Sequence, residues 1–347
     1  MPELHLITAG SLLEFVLEDH TFSMPVGRIE YLHLGPMTFK EFLTGIGRDK
    51  LRIFIEQYQI KDELPLVIHD ELLSLFRVYC VVGGMPEAVQ TYQYSGSLLD
   101  VDSIKQLIIL TCRDDFNKYG KRVNHIRLQK VFQKLPLQVG QKLKYVNLDR
   151  NEKSSDLKAA LHLLALARVY TPVYHSSANG LPLRAESNEK MQKPLFLDVG
   201  LLTAACGLSY ADIAEVDAVT LVNSGSVCEQ FIGQHLLYAR PYYEEPEIFY
   251  WCREKSQASS EVDYLQTCKS MIFPVEVKAG KTGTLKSLQV FIQGKNVKLG
   301  VRFNADLPSF CAAKFSLPGK TGNTFNLLSL PLYMVEELQR IVSDCLD

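Results

Sequence analysis

Hydrophobic and polar positions change period several times along the chain, and each change marks an element. Residues 5–11 read HLITAGS, an apolar run closed by small residues, which predicts a buried strand passing directly into a helix over 12–17. The run GRIEYLHLGP, residues 27–36, predicts another strand, ended by Pro36. In MTFKEFL, Thr38 is placed as a helix N-cap, Glu41 closes a capping box three residues on, and Met37 faces Phe42 as a hydrophobic staple. Residues 63–94 read as two helices split by Gly83, Gly84, Met85 and Pro86, a C-cap glycine followed by a proline near the next N-terminus. A longer helix over 98–118 has Gly120 beyond its end.

The middle of the chain alternates short helices with a strand pair. Residues 122–140 predict one helix, and a second carries apolar residues at Leu157, Leu161, Leu164 and Val169. Strands flank Asn179 and Gly180, which completes a winged-helix-like arrangement. Its polar faces offer only Lys153, Lys158 and Arg168 for phosphate contacts, so a spacer role is preferred over DNA readout. Residues 193–207 predict a strand, with Asp198 at a helix N-terminus or turn, and then a helix. From residue 224 the expected order is helix, three strands, helix and the strand VKLGVRF, before a final amphipathic helix over 332–345.

The candidate chemistry lies in SEVDYLQTCKSMIFPVEVKAG, residues 260–280. Strand alternation places Glu276 and Lys278 on one face about 6–7 Å apart, and Asp263 can join them from the neighbouring strand. Two carboxylates so close repel unless a cation lies between them, and Mg²⁺ with its oxygen ligands suits such a pair. A lysine beside them can orient an attacking water or offset phosphate charge.

These residues resemble the PD-(D/E)xK restriction-endonuclease-like superfamily. The proline of its name is replaced here by Val262, and YWCRE, residues 250–254, stands as the first strand of its sheet. The resemblance implies an additional acid on the preceding helix, a place that Glu229 fits. It further implies that Asp263, Glu276 and Glu229 ligate Mg²⁺, that the Val277 carbonyl completes the shell, and that Lys278 positions water for attack on a DNA phosphate. A second resemblance covers nearly the whole chain. The succession ITAGSLLEF, VGRIEYLHLGPMTFKEFL, FRVYCVVGGMPEAV and DDFNKYG, with LFLDVGLL and PVEVKAG later on, resembles the later half of prokaryotic AAA+ ATP-binding proteins with a C-terminal domain of unknown function. It implies a sensor strand ending at Ser11 and places Arg28 in the Gly-Arg pair that closes the ATPase core, a nucleotide-binding remnant.

The expected fold class is therefore mixed α and α/β. A partial AAA+ core with a helical lid occupies 1–120, a winged-helix-like linker 121–200, and a PD-(D/E)xK-like α/β domain 201–347. With part of its partner surface missing, the first of these is expected to be marginally stable. The P-loop and Walker B acid would precede Ser11 and are absent from this sequence. Gly280-Lys281-Thr282 and Gly319-Lys320-Thr321 hold only the tail of a P-loop, because Val275 and Lys314 stand where its first glycine belongs. ATP hydrolysis is not expected, and ATP is a cofactor only if another chain supplies the P-loop; such a protein partner is one expectation and DNA another.

A net charge of −2 and a pI near 6.5 do not advertise a polyanion partner, so any DNA contact must be local. Lys269, Lys281, Lys286, Lys295 and Lys298 gather near the motif and supply such a local bias. None of the eight cysteines is at C-x-x-C spacing, and no apolar run approaches the ~20 residues of a membrane helix, so a reducing, cytoplasmic location without membrane contact is expected. Two functions remain open: a Mg²⁺-dependent nuclease, or a non-catalytic DNA- or partner-binding module with vestigial carboxylates.

Overall fold

The computed structural model describes residues 5, 7, 27–116, 124–208, 225–255, 258–280, 284–315 and 324–346. The strand and helix expected before residue 18, with Ser11, lie outside them. The described helices are α1 (Phe39–Gly45), α2 (Asp49–Gln57), α3 (Leu66–Val82), α4 (Pro86–Ser95), α5 (Leu98–Asp115), α6 (His125–Lys134), α7 (Tyr145–Leu148), α8 (Ser154–Leu166), α9 (Val199–Ala205), α10 (Gly225–Leu237), α11 (Lys286–Lys295) and α12 (Leu338–Leu346). The strands are β1 (Tyr170–Ser176), β2 (Ser187–Phe196), β3 (Phe249–Lys255), β4 (Ala258–Cys268), β5 (Met271–Val277), β6 (Leu299–Asn304), β7 (Ser309–Lys314) and β8 (Thr324–Pro331). The protein is thus mixed α/β, built on one eight-stranded sheet in the order β2-β1-β3-β4-β5-β6-β8-β7.

The sheet is mixed. Pairs β1–β3, β5–β6 and β6–β8 are parallel and the remaining neighbours antiparallel. The β5–α11–β6 crossover is the unit that aligns the candidate motif, because a parallel neighbour requires a helix to carry the chain back. Leu288 and Ile292 of α11 lie directly over Gly300 of β6, where a Cβ would stand 2.7–2.8 Å from their methyl groups. The opposite face is covered by α10 and the helical block α1–α5. Phe39, Phe42, Phe76, Tyr79 and Phe231 pack edge to face or stacked with centroids 4.7–6.3 Å apart.

Four sequence expectations meet a different structure. Residues 29–34 belong to no strand; Leu34 is 91% exposed, and the His33 N–H donates to the Tyr242 carbonyl at 2.8 Å. The apolar side chains of that run have no sheet to enter. The strands β7 and β8 were not expected, because β7 lies exposed at the sheet edge and carries no alternation. The strand pair around Asn179 forms as β1 and β2, yet a 3₁₀ turn at Leu183–Glu186 separates them and β1 pairs with β3, so this hairpin extends the main sheet. Finally, the first helical block packs on the rest of the chain, although Leu34, Leu66, Val67, Tyr94 and Leu99 remain exposed. Residues of α1–α5 share one core with α10, β5, β6 and the 3₁₀ turn Leu332–Glu337, while a second core spans residues 109–204. The two cores cross the boundaries expected at 120 and 200.

Other readings hold. Thr38 caps α1 in a capping box with Glu41, and Asp198 caps α9. All eight cysteines are free. Of the aromatic residues around β3, Phe249, Tyr250 and Trp251 are buried, with Trp251 edge-on to Phe291 at 5.2 Å, whereas Tyr242 and Tyr243 are exposed.

His235 shows how the helical block is locked onto α10. Its Nε2 accepts the Phe39 N–H at 2.9 Å and its Nδ1 lies 2.8 Å from the Phe231 carbonyl, which fixes a neutral ring protonated at Nδ1. Burial pushes its pKa from 6.5 down to about 4. A group with a depressed folded pKa contributes stability that is fully present above its unfolded pKa and lost as pH falls toward the folded one. Wild type is therefore expected to lose about 3 kcal/mol between pH 6.5 and 4 that a His235→Gln variant does not lose. Urea unfolding of both proteins across that range measures the difference.

Candidate carboxylate–lysine site

Asp263 and Glu276 meet across the antiparallel β4–β5 pair. One step beyond the Tyr264–Val275 rung, the register sets them opposite each other, the arrangement in which like charges repel most. The strand end turns this to use. Asp263 Oδ2 accepts the Val277 N–H at 2.7 Å, and the Lys278 N–H donates to the Phe303 carbonyl of β6 at 2.8 Å. The chain direction at residues 276–278 is thereby set, and Lys278 Nζ comes to 2.5 Å from Glu276 Oε1.

Glu229 approaches from α10, whose buried face carries Cys228, Phe231 and Ile232. Its carbonyl accepts the Tyr264 hydroxyl at 2.8 Å, tying the helix to β4. The four residues expected from the sequence, Glu229, Asp263, Glu276 and Lys278, are thus brought into one cluster. Arg28 is not part of it and is exposed at the start of the described chain.

Three further residues, Lys193, Glu261 and Gly140, complete the cluster beyond those expected from the sequence. Lys193 of β2 is 2% exposed, with Nζ 2.9 Å from Glu229, 3.0 Å from Glu261 and 3.8 Å from Asp263. Its ammonium also stands 5.7 Å from the centroid of the Tyr250 ring. Glu261 supplies a further carboxylate from β4. Gly140, at φ +77°, lies against Glu229 so closely that a Cβ would sit 3.3 Å from both carboxylate oxygens. A signal for Lys193 existed: it stands at the head of the apolar run PLFL, where a charge entering a buried strand requires a partner.

Four carboxylates thus face two ammonium groups in a poorly solvated setting. Burial pushes the Glu229 carboxyl up, Lys193 draws it back, and Asp263 adds to the rise. Glu276 is raised by burial and then by the charge of Asp263, against the pull of Lys278. Asp263 is raised by burial, with Lys193 and the Val277 N–H opposing. Burial disfavours the Lys193 ammonium, but Glu229, Asp263 and Glu261 together outweigh it and its pKa rises well above the ordinary lysine value. Glu276 Oε2 is buried without a hydrogen-bond partner, in a residue 5% exposed. A carboxylate oxygen so placed has its desolvation uncompensated.

Among the described residues no group of three or more His, Cys, Asp and Glu side chains is arranged to hold a metal ion. Glu229, expected as a third ligand, is directed at Lys193. The pair Asp263 and Glu276 does fit the donor set of Mg²⁺, which keeps several waters and takes one or two carboxylates together with substrate phosphate oxygens. The free Oε2 of Glu276 is the donor that such an ion would use.

The fold and site define a mixed α/β protein with a buried carboxylate–lysine cluster at the centre of its sheet. Residues 73–212 match a domain of unknown function, DUF8612, and residues 224–313 match a second, DUF4143. No curated protein and no solved structure matches the chain. Glu229, Glu261, Asp263, Glu276 and Lys278 fall in the DUF4143 match, whereas Lys193 and Gly140 fall in the DUF8612 match. The site is therefore assembled from both segments. Among the described residues no helix is long and apolar enough to cross a membrane.

Proposed function

We propose that the α/β half of this protein is a PD-(D/E)xK-type, Mg²⁺-dependent phosphodiesterase that acts on DNA. One observation carries this reading: Glu276 offers a buried, unpartnered oxygen opposite Asp263 while its other oxygen holds Lys278. Asp263 and Glu276 are the residues that would hold Mg²⁺, with Glu229 beside them. Bound there, the ion supplies Lewis-acid polarisation of a phosphate oxygen and neutralises developing charge. Lys278 has a side chain 26% exposed and is the member of the pair that reaches solvent. Its ammonium orients a water toward phosphorus and offsets charge on the phosphate. The match to DUF4143, a domain commonly found in AAA-ATPase-associated proteins, supports the kinship with AAA+ ATP-binding proteins. ATP binding in this setting requires a P-loop from another chain.

The test is Mg²⁺-dependent cleavage of supercoiled and linear DNA by wild type and Lys278→Ala. The variant is expected to lose at least about a hundredfold in rate, the scale on which a single charge-stabilising group acts. Equal rates, or no cleavage by either protein, overturn the catalytic assignment.

A second reading rests on Lys193, whose buried ammonium already serves as a cation among the carboxylates. In that reading the domain binds DNA or a protein partner without chemistry. Salt-dependent DNA binding that survives Asp263→Asn combined with Glu276→Gln, in a protein that does not cleave, selects it.

A further inference from the structure

We propose that Lys193 is a built-in counter-ion that competes with a divalent cation for the carboxylate cluster, so that the segment carrying β2 sets how readily the site takes metal. The inference rests on the metal-site reading above and deepens it.

The argument begins with charge and reach. Lys193 belongs to β2, at the far edge of the sheet from β5, and its side chain crosses the Tyr250 ring of β3 to end between Glu229 on α10 and Glu261 on β4. Asp263 lies 3.8 Å from the same nitrogen, so one candidate metal ligand shares its charge with Lys193 directly. A second cation brought to Asp263 and Glu276 is repelled by the ammonium at short range in a poorly solvated pocket, where such repulsion is weakly screened. The ammonium meanwhile draws off the negative potential that would attract that cation. Lys278 also bears on the pair, its nitrogen held at Glu276 Oε1, but its side chain is 26% exposed, so solvent screens it more than the buried Lys193.

The attachment of β2 gives this competition a structural reading. The β1–β2 hairpin joins the rest of the sheet through two β1–β3 rungs, Tyr174–Phe249 and His175–Tyr250. The pairs of Lys193 with Glu229 and Glu261 are a further tie between that hairpin and the α/β half. Gly140, from the same segment as Lys193 and at φ +77°, lies against Glu229, where a Cβ would stand 3.3 Å from both carboxylate oxygens. Metal at Asp263 and Glu276 and the seating of Lys193 are therefore linked, and by reciprocity whatever loosens one favours the other. Lys193 is a positioning residue in this scheme.

The experiment measures Mn²⁺ binding to the full chain, by loss of the free-ion paramagnetic resonance signal, for wild type, Lys193→Met and Glu261→Gln. Lys193→Met removes the competing charge while keeping a long unbranched side chain. It is expected to bind Mn²⁺ at least about tenfold more tightly than wild type, and Mn²⁺ is expected to raise its unfolding midpoint more than that of wild type. Glu261→Gln removes a partner of Lys193 whose side chain is 31% exposed, leaving the ammonium to Glu229 and Asp263. It is expected to bind Mn²⁺ several-fold more weakly. Should Lys193→Met fail to fold, Lys193→Gln, which also removes the charge but can hydrogen-bond the carboxylates, decides in its place.

Unchanged Mn²⁺ affinity in the variants, with or without lost stability, makes Lys193 merely structural and overturns the inference. Mg²⁺-dependent DNA cleavage by wild type alongside that result leaves the nuclease assignment standing. Tight Mn²⁺ binding by Lys193→Met, with neither binding nor cleavage by wild type, supports the inference and removes the nuclease assignment. No Mn²⁺ binding by any of the three proteins overturns both.

Discussion

Replacing Asp198 by alanine is expected to lower the stability of the folded chain by about 3–5 kcal/mol, read as a shift in the urea midpoint followed by circular dichroism. Asp198 is fully buried at the N-terminus of α9, and each of its oxygens works. Oδ1 accepts the N–H groups of Gly200 and Leu201 at 2.8 and 3.0 Å, which caps the helix. Oδ2 accepts the Gly84 N–H at 2.7 Å and the Gln234 side-chain amide at 3.3 Å, which fastens α9 to the turn after α3 and to α10. Burial pushes its carboxyl up, and the bonds it accepts pull it back. Alanine leaves the Gly84, Gly200 and Leu201 N–H groups buried without this acceptor, while the Gln234 amide keeps only the Tyr79 hydroxyl at 3.2 Å. Asparagine can retain only the capping oxygen, because its amide would face the two donors on the other side. Asp198→Asn is accordingly expected to cost about half as much, and an Asn variant as stable as wild type would show that the junction contributes nothing beyond the cap.

Gly84→Ala is expected to cost about 3 kcal/mol in the same measurement. The turn between α3 and α4 runs against the segment before α1, with the Met37 N–H donating to the Gly84 carbonyl at 2.7 Å. A Cβ on residue 84 would strike the Met37 carbonyl oxygen and lie 2.8 Å from the Met37 nitrogen and 2.9 Å from the Pro36 Cβ. These are main-chain and proline atoms with no flexible end to swing away. The Met37 carbonyl also accepts the Tyr79 hydroxyl at 2.5 Å, so displacing it disturbs the aromatic core beneath. Gly45→Ala is the control: its Cβ would meet only the side chains of Val89 at 3.2 Å and Met37 at 3.4 Å, and the cost should be smaller.

Both predictions concern a junction that was legible in part. Gly83-Gly84-Met85-Pro86 reads as the boundary of two helices from the conformational needs of a C-cap and of proline at N1, and Asp198 reads as a helix-start acid. Neither reading says that the two meet, 114 residues apart. The same division runs through the candidate site. Asp263, Glu276 and Lys278 were legible together because a hairpin is local: strand period and turn length put an acid on β4 opposite one on β5. Glu229 was legible only through a resemblance, and the structure places it within the cluster but bound to Lys193. Lys193 and Gly140 were not legible as site residues at all. A lysine heading an apolar strand predicts a partner somewhere, and only the three-dimensional path of β2 shows that the partner is the carboxylate cluster.

What the sequence by itself determined is what depends on short separations: the caps of α1 and α9, the helix breaks, the β4–β5 hairpin with its acids, and the thiol chemistry of scattered cysteines. These follow from dihedral preferences, side-chain period and backbone hydrogen-bond needs, which act over a few residues. The tertiary structure alone decided that the β1–β2 hairpin joins the main sheet, that the helical block and the α/β half share one core, and that a lysine from one matched segment neutralises acids in the other. Burial and Coulomb interaction are blind to sequence distance, so only the folded path determines which groups they couple.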